Sequence, residues 1–210
     1  DMFASRNIMA ALHNTLLIAF LSALIATIIG VAASVAINSM KAVPRTIVMG
    51  ITNIPMLNAD IVTGISLMLA FIAFGISLGF KTILIAHITF NIPYVILSVM
   101  PKLKQTSRST YEAAMDLGAG PVYAFFKVVF PDILPGVLSG FLLAFTMSLD
   151  DFIITHFTKG AGINTLSTLI YSEVRRGIRP SMYALSTVIF LVVLTLLIIT
   201  NFVPRIKAEK

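Results

Sequence analysis

Residues 14–40 read NTLLIAFLSALIATIIGVAASVAINSM and contain no charged side chain. A bilayer core about 30 Å thick is crossed by a helix of about 20 mostly apolar residues, so this stretch is long enough to span a membrane. The whole chain has the same character, with 58% apolar and 11% charged residues and a mean hydropathy of +0.97. Water-soluble domains carry about 25% charged residues. The sequence therefore predicts an all-α membrane protein.

Four further apolar runs predict four more spans, which makes five in this chain. They cover residues 61–80, 82–100, 133–149 and 181–203. The helical pattern of the run 133–149 extends through Asp150 and Asp151 towards Phe157. The chain starts with Asp1 instead of Met, so we expect the natural protein to have a further N-terminal segment.

Residues 46–80 are too many for one simple crossing, and they contain a group of polar and helix-breaking residues. These are Asn53, Pro55, Asn58 and Asp60. Proline removes a helix hydrogen bond, and unpaired backbone inside a membrane is tolerated only where it is buried or lines a wet cavity. The pattern predicts a broken helix near residues 53–60. A short interfacial helix before an ordinary span is the alternative.

The basic residues indicate the orientation of the chain, because Lys and Arg accumulate on the cytoplasmic side of spans. Nine of the 15 Lys and Arg fall on one side, which we predict to be cytoplasmic. They are Lys41, Arg45, Lys102, Lys104, Arg108, Lys127, Arg205, Lys207 and Lys210.

Residues 101–132, called the two-helix loop below, form the longest polar connection and lie on this basic side. Ser109 and Glu112 have the spacing of a capping box, which predicts a first helix over Tyr111–Leu117. Gly118 is a suitable left-handed stop for it.

A second short helix is predicted over Pro121–Phe130, because proline is favoured in a first helical turn. Pro131 would end it. Two short helices joined by a glycine turn present a docking surface for another protein.

The residues of the loop also resemble a known motif. Glu112-Ala113-Ala114, then Gly118, Val128 and Phe130-Pro131 resemble the EAA loop of ATP-binding-cassette (ABC) importer permeases. Val128 and Phe130 stand where Ile and Leu are usual in that family. Four further segments resemble the permeases of spermidine/putrescine importers: Asn58–Val62, His87–Phe90, Leu149–Phe152 and Leu185–Thr187.

The resemblance implies one transmembrane permease domain over residues 1–210 with the type I ABC importer permease fold. That family has six spans, the first of which would precede Asp1 here. The two-helix loop would insert into a groove of a cytoplasmic ATPase and carry its motion to the spans. Residues assigned to this coupling are Glu112, Ala113, Ala114, Asp116, Gly118, Ala119 and Pro131. The alternative for Glu112 is a purely local helix cap.

The resemblance also implies partners in a bacterial inner membrane. They are two copies of the ATPase, a second homologous permease and an extracytoplasmic substrate-binding protein. The chain has no phosphate-binding loop, so ATP and magnesium would lie on the ATPase, and this subunit would not itself be an enzyme. It has no cysteine and no His/Cys cluster, so no metal or other cofactor is expected. No nucleic-acid partner is expected.

Ionisable and polar residues inside apolar runs are costly and mark candidate substrate paths. They are Asp60, Asp150, Asp151, His87 and Asn91. Adjacent aspartates can face one cavity only if the helix unwinds between them, and one of them could instead cap a helix. His87 and Asn91 share a helix face, where they could line a pore or form helix–helix hydrogen bonds.

Residues 158–182 are predicted to be an outer loop with an amphipathic helix over Thr165–Arg176, stopped by Gly177. Its apolar stripe consists of Leu166, Leu169, Ile170 and Val174. Glu173, Arg175 and Arg176 are candidates for contact with the external binding protein. A favourable interaction of the arginines with the helix dipole is the alternative.

Together these features predict a permease that moves polyamines by ATP-driven alternating access. An importer of another small solute, such as thiamine, iron or phosphonate, is the alternative. A channel, a membrane scaffold and an intramembrane enzyme with the Asp150-Asp151 pair are weaker alternatives, because neither a selectivity filter nor converging carboxylates can be recognised.

Overall fold

The computed structural model describes residues 6–176, 187–188, 190–195 and 197–198, and helices are the only regular elements within these ranges. The helices up to residue 176 are α1 (Arg6–Ser39), α2 (Ala42–Leu57), α3 (Asp60–Ala73), α4 (Phe80–Gln105), α5 (Arg108–Asp116), α6 (Pro121–Ala124), a π-helical turn (Phe125–Val129), α7 (Phe130–Asp150), α8 (Ile153–Thr158) and α9 (Leu166–Arg176). The all-α prediction is confirmed for this part of the chain.

Three of the five predicted spans are confirmed as long apolar helices. In the described ranges, Arg6–Ser39, Phe80–Gln105 and Pro121–Asp150 are long and apolar enough to cross a membrane. They include the predicted runs 82–100 and 133–149 and, except for its last residue, the run 14–40. The predicted run 181–203 lies largely outside the described residues.

The predicted span over residues 61–80 is not one continuous helix. Helix α3 has only 14 residues and ends at Ala73, which gives it a length of about 21 Å, too short for the bilayer core. The chain leaves the helix at Gly75, which has a φ of +68°. Helix α4 then starts after Gly79, whose N–H donates to Thr82 Oγ1 at 2.7 Å.

The predicted helix break is confirmed between α2 and α3. The two helices form an apolar pair bent by 102°, and the bend falls at Asn58 and Ala59. Pro55 stays inside α2, within its last turn. Counted as one broken span, α2 and α3 raise the number of candidate spans in the described residues from three to four.

Helices α1, α4 and α7 pack together as a three-helix core that is organised in layers. In one layer, called the polar layer, Ser22, His87 and Ser148 are joined by hydrogen bonds. In another, called the glycine layer, Val95 lies against Gly30 and Gly140. On each helix the two layers are eight residues apart, or about 12 Å along the axis. Because the numbers rise along α1 and α4 but fall along α7, α7 runs antiparallel to the other two.

Close approach of the backbones in the glycine layer excludes larger side chains. A Cβ added to Gly30 would lie 2.7 Å from Val95 Cγ1, and one added to Gly140 would lie 3.3 Å from Val95 Cα. Small residues at membrane-helix contacts allow this kind of tight packing. The layer therefore fixes the spacing of the three core helices.

The first helix of the two-helix loop starts three residues before the predicted helix and ends one residue earlier than predicted. Helix α5 begins at Arg108, and Ser107 is its N-cap residue without a side-chain capping bond. The predicted capping box of Ser109 and Glu112 is therefore wrong, because Ser109 lies inside the helix. The predicted stop is confirmed, since Gly118 has a φ of +87°. The N–H groups of Gly118 and Ala119 close the turn on Met115 O and Ala114 O at 2.9 and 3.1 Å.

The second half of the loop does not end at Pro131 as predicted. The helix that starts at Pro121 passes through a π turn and continues to Asp150. The π turn shifts the hydrogen-bond register, and the N–H of Phe130 donates to Phe125 O. Pro131, which has no N–H to donate, comes two residues after this turn, and the shifted register lets the helix continue past it. The loop and the core are consequently joined by one unbroken helical path, residues 121–150.

Candidate functional site

A cavity lies where the helical path 121–150 ends. Its volume is about 390 Å³, and it is lined by Asp60, Phe90, Met147, Asp150, Asp151, Phe152, Ile153 and Ile154. Helix α7 ends at Asp150, and Asp151 has an extended backbone with a ψ of 124°. The predicted continuation of this helix towards Phe157 is therefore wrong. The interruption allows two adjacent aspartates to line the same cavity.

The three carboxylates of the cavity differ in exposure. Asp60 and Asp150 are exposed, whereas the Asp151 side chain is only 8% exposed. Phe90, Met147 and Phe152 supply apolar wall between them. Phe90 also belongs to a buried cluster that it forms with Phe71 of α3, Ala86 of α4 and Ile154 of α8. The cavity is thus built where these three helices meet the end of α7.

The Asp151 carboxylate is engaged by bonds within the chain. Its Oδ1 accepts the N–H of Ile154 at 3.2 Å, and its Oδ2 accepts both the N–H and the hydroxyl of Thr155 at 2.8 Å. His87 Nε2 lies 3.3 Å from the same Oδ2. These bonds cap the first turn of α8, as one of the sequence alternatives proposed.

The bonds of Asp151 are the end of a longer chain of hydrogen bonds through the core. His87 Nε2 lies 2.9 Å from Thr155 Oγ1, His87 Nδ1 bonds Ser148 Oγ, and Ser148 Oγ lies 3.1 Å from Ser22 Oγ. If the imidazole proton is assigned to Nε2, every donor has an acceptor from Ser22 to Asp151. The chain of bonds ties α1, α7, α4 and α8 to the edge of the cavity.

His87 and Asn91 thus have different environments although they share a helix face. His87 is 1% exposed and makes the helix–helix hydrogen bonds that its spacing allowed. Asn91 is fully buried, and within the described ranges neither of its amide atoms has a hydrogen-bond partner. In those ranges no group of three or more His, Cys, Asp or Glu side chains could hold a metal ion.

The two-helix loop exposes most of the residues that the sequence assigned to coupling. Glu112, Ala113, Asp116, Gly118 and Pro131 are exposed, and Ala114 and Ala119 are half-buried. Four large apolar side chains stand beside them in the open: Leu117 (89% exposed), Val122 (71%), Tyr123 (61%) and Phe126 (59%). This combination of apolar and charged side chains is suited to a protein contact.

Helix α9 confirms the predicted amphipathic helix, which begins one residue later than expected. Leu166 and Leu169 are buried against Ile8 and Ala11 of α1, with Ile170 packed beside them. Val174, the last residue of the predicted stripe, is 49% exposed. Gly177, the predicted stop, lies outside the described residues.

The three candidate binding-protein contacts lie in the last turns of α9. Glu173 is half-buried and takes part in an interaction within the chain. The Arg175 guanidinium lies 5.9 Å from the centre of the Tyr171 ring, and Arg176 is the last residue of the helix. Tyr171 in turn contacts Phe152 at the cavity, with ring centres 4.6 Å apart and ring planes inclined by 38°. This connects α9 to the cavity end of the molecule.

Sequence reasoning missed Ser22, Ser148 and Thr155. A serine or threonine in an apolar helix usually bonds its own backbone, so its sequence gives no sign of a partner on another helix. Thr155 had a weak signal, since it follows Asp151 by four residues. The exposed apolar residues of the two-helix loop were also missed, because their composition is that of any amphipathic helix.

The architecture agrees with comparison against known families. Residues 26–208 match the model of the "Binding-protein-dependent transport system inner membrane component" family. The chain belongs to this family. It is therefore a membrane component of a transport system.

Named relatives cover most of this permease chain. It is 38% identical to the spermidine/putrescine transport system permease protein PotC of Haemophilus influenzae over 94% of the chain and 77% of the relative. It is 34% identical to the PotC protein of Escherichia coli K12 over 97% of the chain and 77% of the relative. Identity to the putrescine transport system permease protein PotI of E. coli K12 is 44%, over 64% of the chain and 50% of the relative.

Solved structures of transporters share the permease fold. The inward-facing MetNI methionine ABC transporter is similar with a TM-score of 0.74, covering 96% of this chain and 98% of the other at 19% identity. A bacterial alginate ABC transporter in complex with an alginate-bound periplasmic protein gives a TM-score of 0.65, covering 95% and 79% at 18% identity. The predicted ABC importer permease fold is confirmed.

Proposed function

We propose that this permease carries polyamines such as spermidine and putrescine through the cavity at residues 150–153. The observation that carries the proposal is the whole-length similarity to proteins named as polyamine permeases, at 38% and 34% identity. The cavity suits such cargo, because polyamines are cations with apolar segments between their charges. Asp60 and Asp150 offer exposed carboxylates, and Phe90, Met147 and Phe152 offer apolar wall.

The three carboxylates of the cavity have different roles in this proposal. Asp60 and Asp150 are exposed, so they bind the cationic groups of the cargo. Asp151 is bonded to Thr155 and lies beside His87, so it holds the end of α7 and the start of α8 in place. His87 acts through Asp151. Asn91 is fully buried and contributes to the path only through the packing of the core.

Energy for transport comes from outside this chain. We propose that two copies of a cytoplasmic ATPase, which hold ATP and magnesium, bind the two-helix loops of this subunit and of a second homologous permease. The exposed residues Leu117, Tyr123 and Phe126 provide apolar contact area. Glu112 and Asp116 add charge complementarity at the rim. The chain itself binds no cofactor and catalyses no hydrolysis.

The helical connection from the two-helix loop to the cavity transmits the motion of the ATPases. Residues 121–150 form one helical path of 30 residues, about 45 Å long. On the other side of the loop, α4 ends at Gln105 and α5 starts three residues later. Closure of the ATPases thus tilts α7 and α4 together, and the cavity opens to the outer side of the inner membrane. Hydrolysis resets the helices, and the cargo leaves to the cytoplasm.

An external binding protein delivers the cargo in this scheme. Helix α9 lies at the cavity end, and the Tyr171 ring contacts the Phe152 ring at the edge of the cavity. Arg175 is exposed there, so it can pair with an acidic residue of the binding protein. Glu173 and Arg176 belong to the same proposed contact.

The proposal is tested with the full importer reconstituted in lipid vesicles. Uptake of labelled spermidine and putrescine and the rate of ATP hydrolysis are measured with and without the binding protein. We expect Asp150→Asn to raise the KM for polyamine uptake about tenfold, equivalent to about 1.4 kcal/mol of lost binding, while complex assembly is unchanged. Thr89→Val, at an exposed residue of α4 that bonds its own backbone at Ile85 O, is the control and leaves KM unchanged.

Two results would refute the proposal. One is polyamine uptake no faster than in vesicles without protein, although ATP is hydrolysed. The other is stimulation of ATP hydrolysis by thiamine, iron or a phosphonate in place of polyamines. An unchanged KM in Asp150→Asn would remove Asp150 from the path without changing the class of cargo.

A further inference from the structure

Between the polar layer and the glycine layer of the core lies a third layer. It lies four residues from each neighbouring layer on every helix, and its members are Ala26, Asn91 and Ala144. Side chains four residues apart share a helix face, so these three residues point to the same junction as their neighbours. All three are fully buried, with 0% exposure. We call it the middle layer.

The middle layer contains polar atoms that no described residue satisfies. Asn91 Nδ2 and Asn91 Oδ1 are buried without a hydrogen-bond partner in the described ranges. The same holds for Thr27 Oγ1, which follows Ala26 directly on α1. In the polar layer, by contrast, the hydroxyls of Ser22 and Ser148 and both ring nitrogens of His87 are bonded. An unpaired buried amide is costly, so it calls for a partner.

The partner must be small and must come from within the junction. Lipid and other subunits cannot reach Asn91, because its side chain has no exposed surface. Its neighbours in the layer, Ala26 and Ala144, are alanines, whose side chains have no polar atom to offer. A water molecule needs a polar site with two to four partners. The Asn91 amide supplies two, and the unpaired Thr27 hydroxyl, one residue from the layer on α1, is the nearest source of a third along that helix.

We propose that the Asn91 amide and the Thr27 hydroxyl bind ordered water inside the three-helix junction. This water lies one helical turn, about 6 Å, from the polar layer. It separates a layer held by direct hydrogen bonds from one held by tight glycine packing. Water can exchange partners without leaving an amide unpaired, so the middle layer is the position at which α1, α4 and α7 can shift during transport. The inference concerns the core and does not depend on the identity of the cargo.

The direct test is a density map of the assembled importer at a resolution that shows ordered water. We expect at least one density peak within hydrogen-bond distance of both Asn91 and Thr27. An empty junction would overturn the proposal. A protein atom bonded to the Asn91 amide, including one from residues 177–210, would overturn it equally.

A pair of substitutions gives an independent readout. Asn91→Leu keeps most of the side-chain volume but displaces the water, and we expect an apparent Tm within about 2 °C of the parent, because the amide and its water are removed together. Asn91→Ala leaves a larger space and lowers the Tm further. Thr89→Val is the control, since Thr89 is exposed on the same helix and bonds only its own backbone at Ile85 O.

The sign of the change in Asn91→Leu separates the alternatives. A large rise in Tm would mean that the amide is dry and unpaired in the parent protein. A large fall, equal to that of Asn91→Ala, would mean that the amide has a protein partner. Either result contradicts the water site.

Discussion

The two ends of the helical path 121–150 differ in the surroundings of their side chains. At the cavity end, His87 and Thr155 are almost completely buried, and each is bonded to another helix. At the loop end, Leu117 and Tyr123 are 89% and 61% exposed. At the cavity end the polar side chains find their partners within the chain, whereas the loop end presents apolar surface to water.

This difference indicates where the chain needs another protein. Apolar side chains in a polar loop gain nothing from folding alone, so their position is explained by a partner that covers them. The hydrogen bonds of the cavity end need no partner and hold the backbone around the aspartates. In the proposed mechanism, this helix receives motion at the exposed apolar surface of the loop and delivers it to the hydrogen-bonded cavity end.

The largest expected effect on uptake comes from a substitution that disrupts the glycine turn of the two-helix loop. Gly118 has a φ of +87° and donates its N–H to Met115 O, whereas proline has a φ near −65° and no N–H. We expect Gly118→Pro to insert and assemble but to lose at least about tenfold in ATP-driven uptake, because the angle between α5 and α6 changes. Uptake and ATP hydrolysis are measured in vesicles. Gly120→Ala, at a position with open space around it, is the control, and normal uptake in Gly118→Pro would refute the role of the loop.

The next effect concerns the core that lies between the two ends. A side chain at Gly30 would meet Val95 at 2.7 Å. We expect Gly30→Leu to cost about 1–3 kcal/mol in stability through overpacking, seen as a lower unfolding temperature in detergent. Gly50→Leu is the control, since nothing lies within 4 Å of a Cβ there. If both variants unfold at the same temperature, the glycine layer does not set the helix spacing.

The cavity end predicts a smaller and more selective effect. Asp151→Ala removes the acceptor of three hydrogen bonds from Ile154 and Thr155, for which we expect a loss of about 1–2 kcal/mol in stability. Asp150→Ala, one residue earlier and exposed, should change stability by less than about 0.5 kcal/mol. Thermal unfolding of the two variants side by side measures the difference. Equal losses would contradict the division of roles between the aspartates.

The smallest effect on stability is expected at the loop surface. Leu117 is 89% exposed, so Leu117→Ser should leave the stability of the permease within about 0.5 kcal/mol. It should nevertheless reduce the amount of ATPase that co-purifies with the permease in detergent. Unchanged co-purification together with unchanged stability would show that this side chain is not part of the interface.

Much of this arrangement could be predicted from sequence where the signal is local. Long uncharged runs predicted α1, α4 and α7, and Gly118 predicted its left-handed turn, because each depends on a few neighbouring residues. The bend near Asn58 was predicted for the same reason. Proline gave a misleading signal at Pro131, since a π turn in the preceding residues shifts the hydrogen-bond register and the helix continues past the proline.

Contacts between distant segments could not be predicted in this way. Nothing in the sequence around Ser22 or Ser148 indicates that they meet, 126 residues apart, beside His87. The sequence raised helix capping only as an alternative for the aspartates, and the bonds that give Asp151 this role depend on where α8 begins. The exposed or buried state of each carboxylate is likewise decided by tertiary packing.

The most direct test of the account follows the motion from loop to cavity. The chain has no cysteine, so Ile153→Cys places a single thiol at the cavity wall. Its labelling by a membrane-impermeant reagent from the outer side is measured in the assembled importer with and without a non-hydrolysable ATP analogue. The account predicts faster labelling with the analogue, and no such increase when Gly118→Pro is also present. An equal increase in both forms would contradict transmission through the two-helix loop.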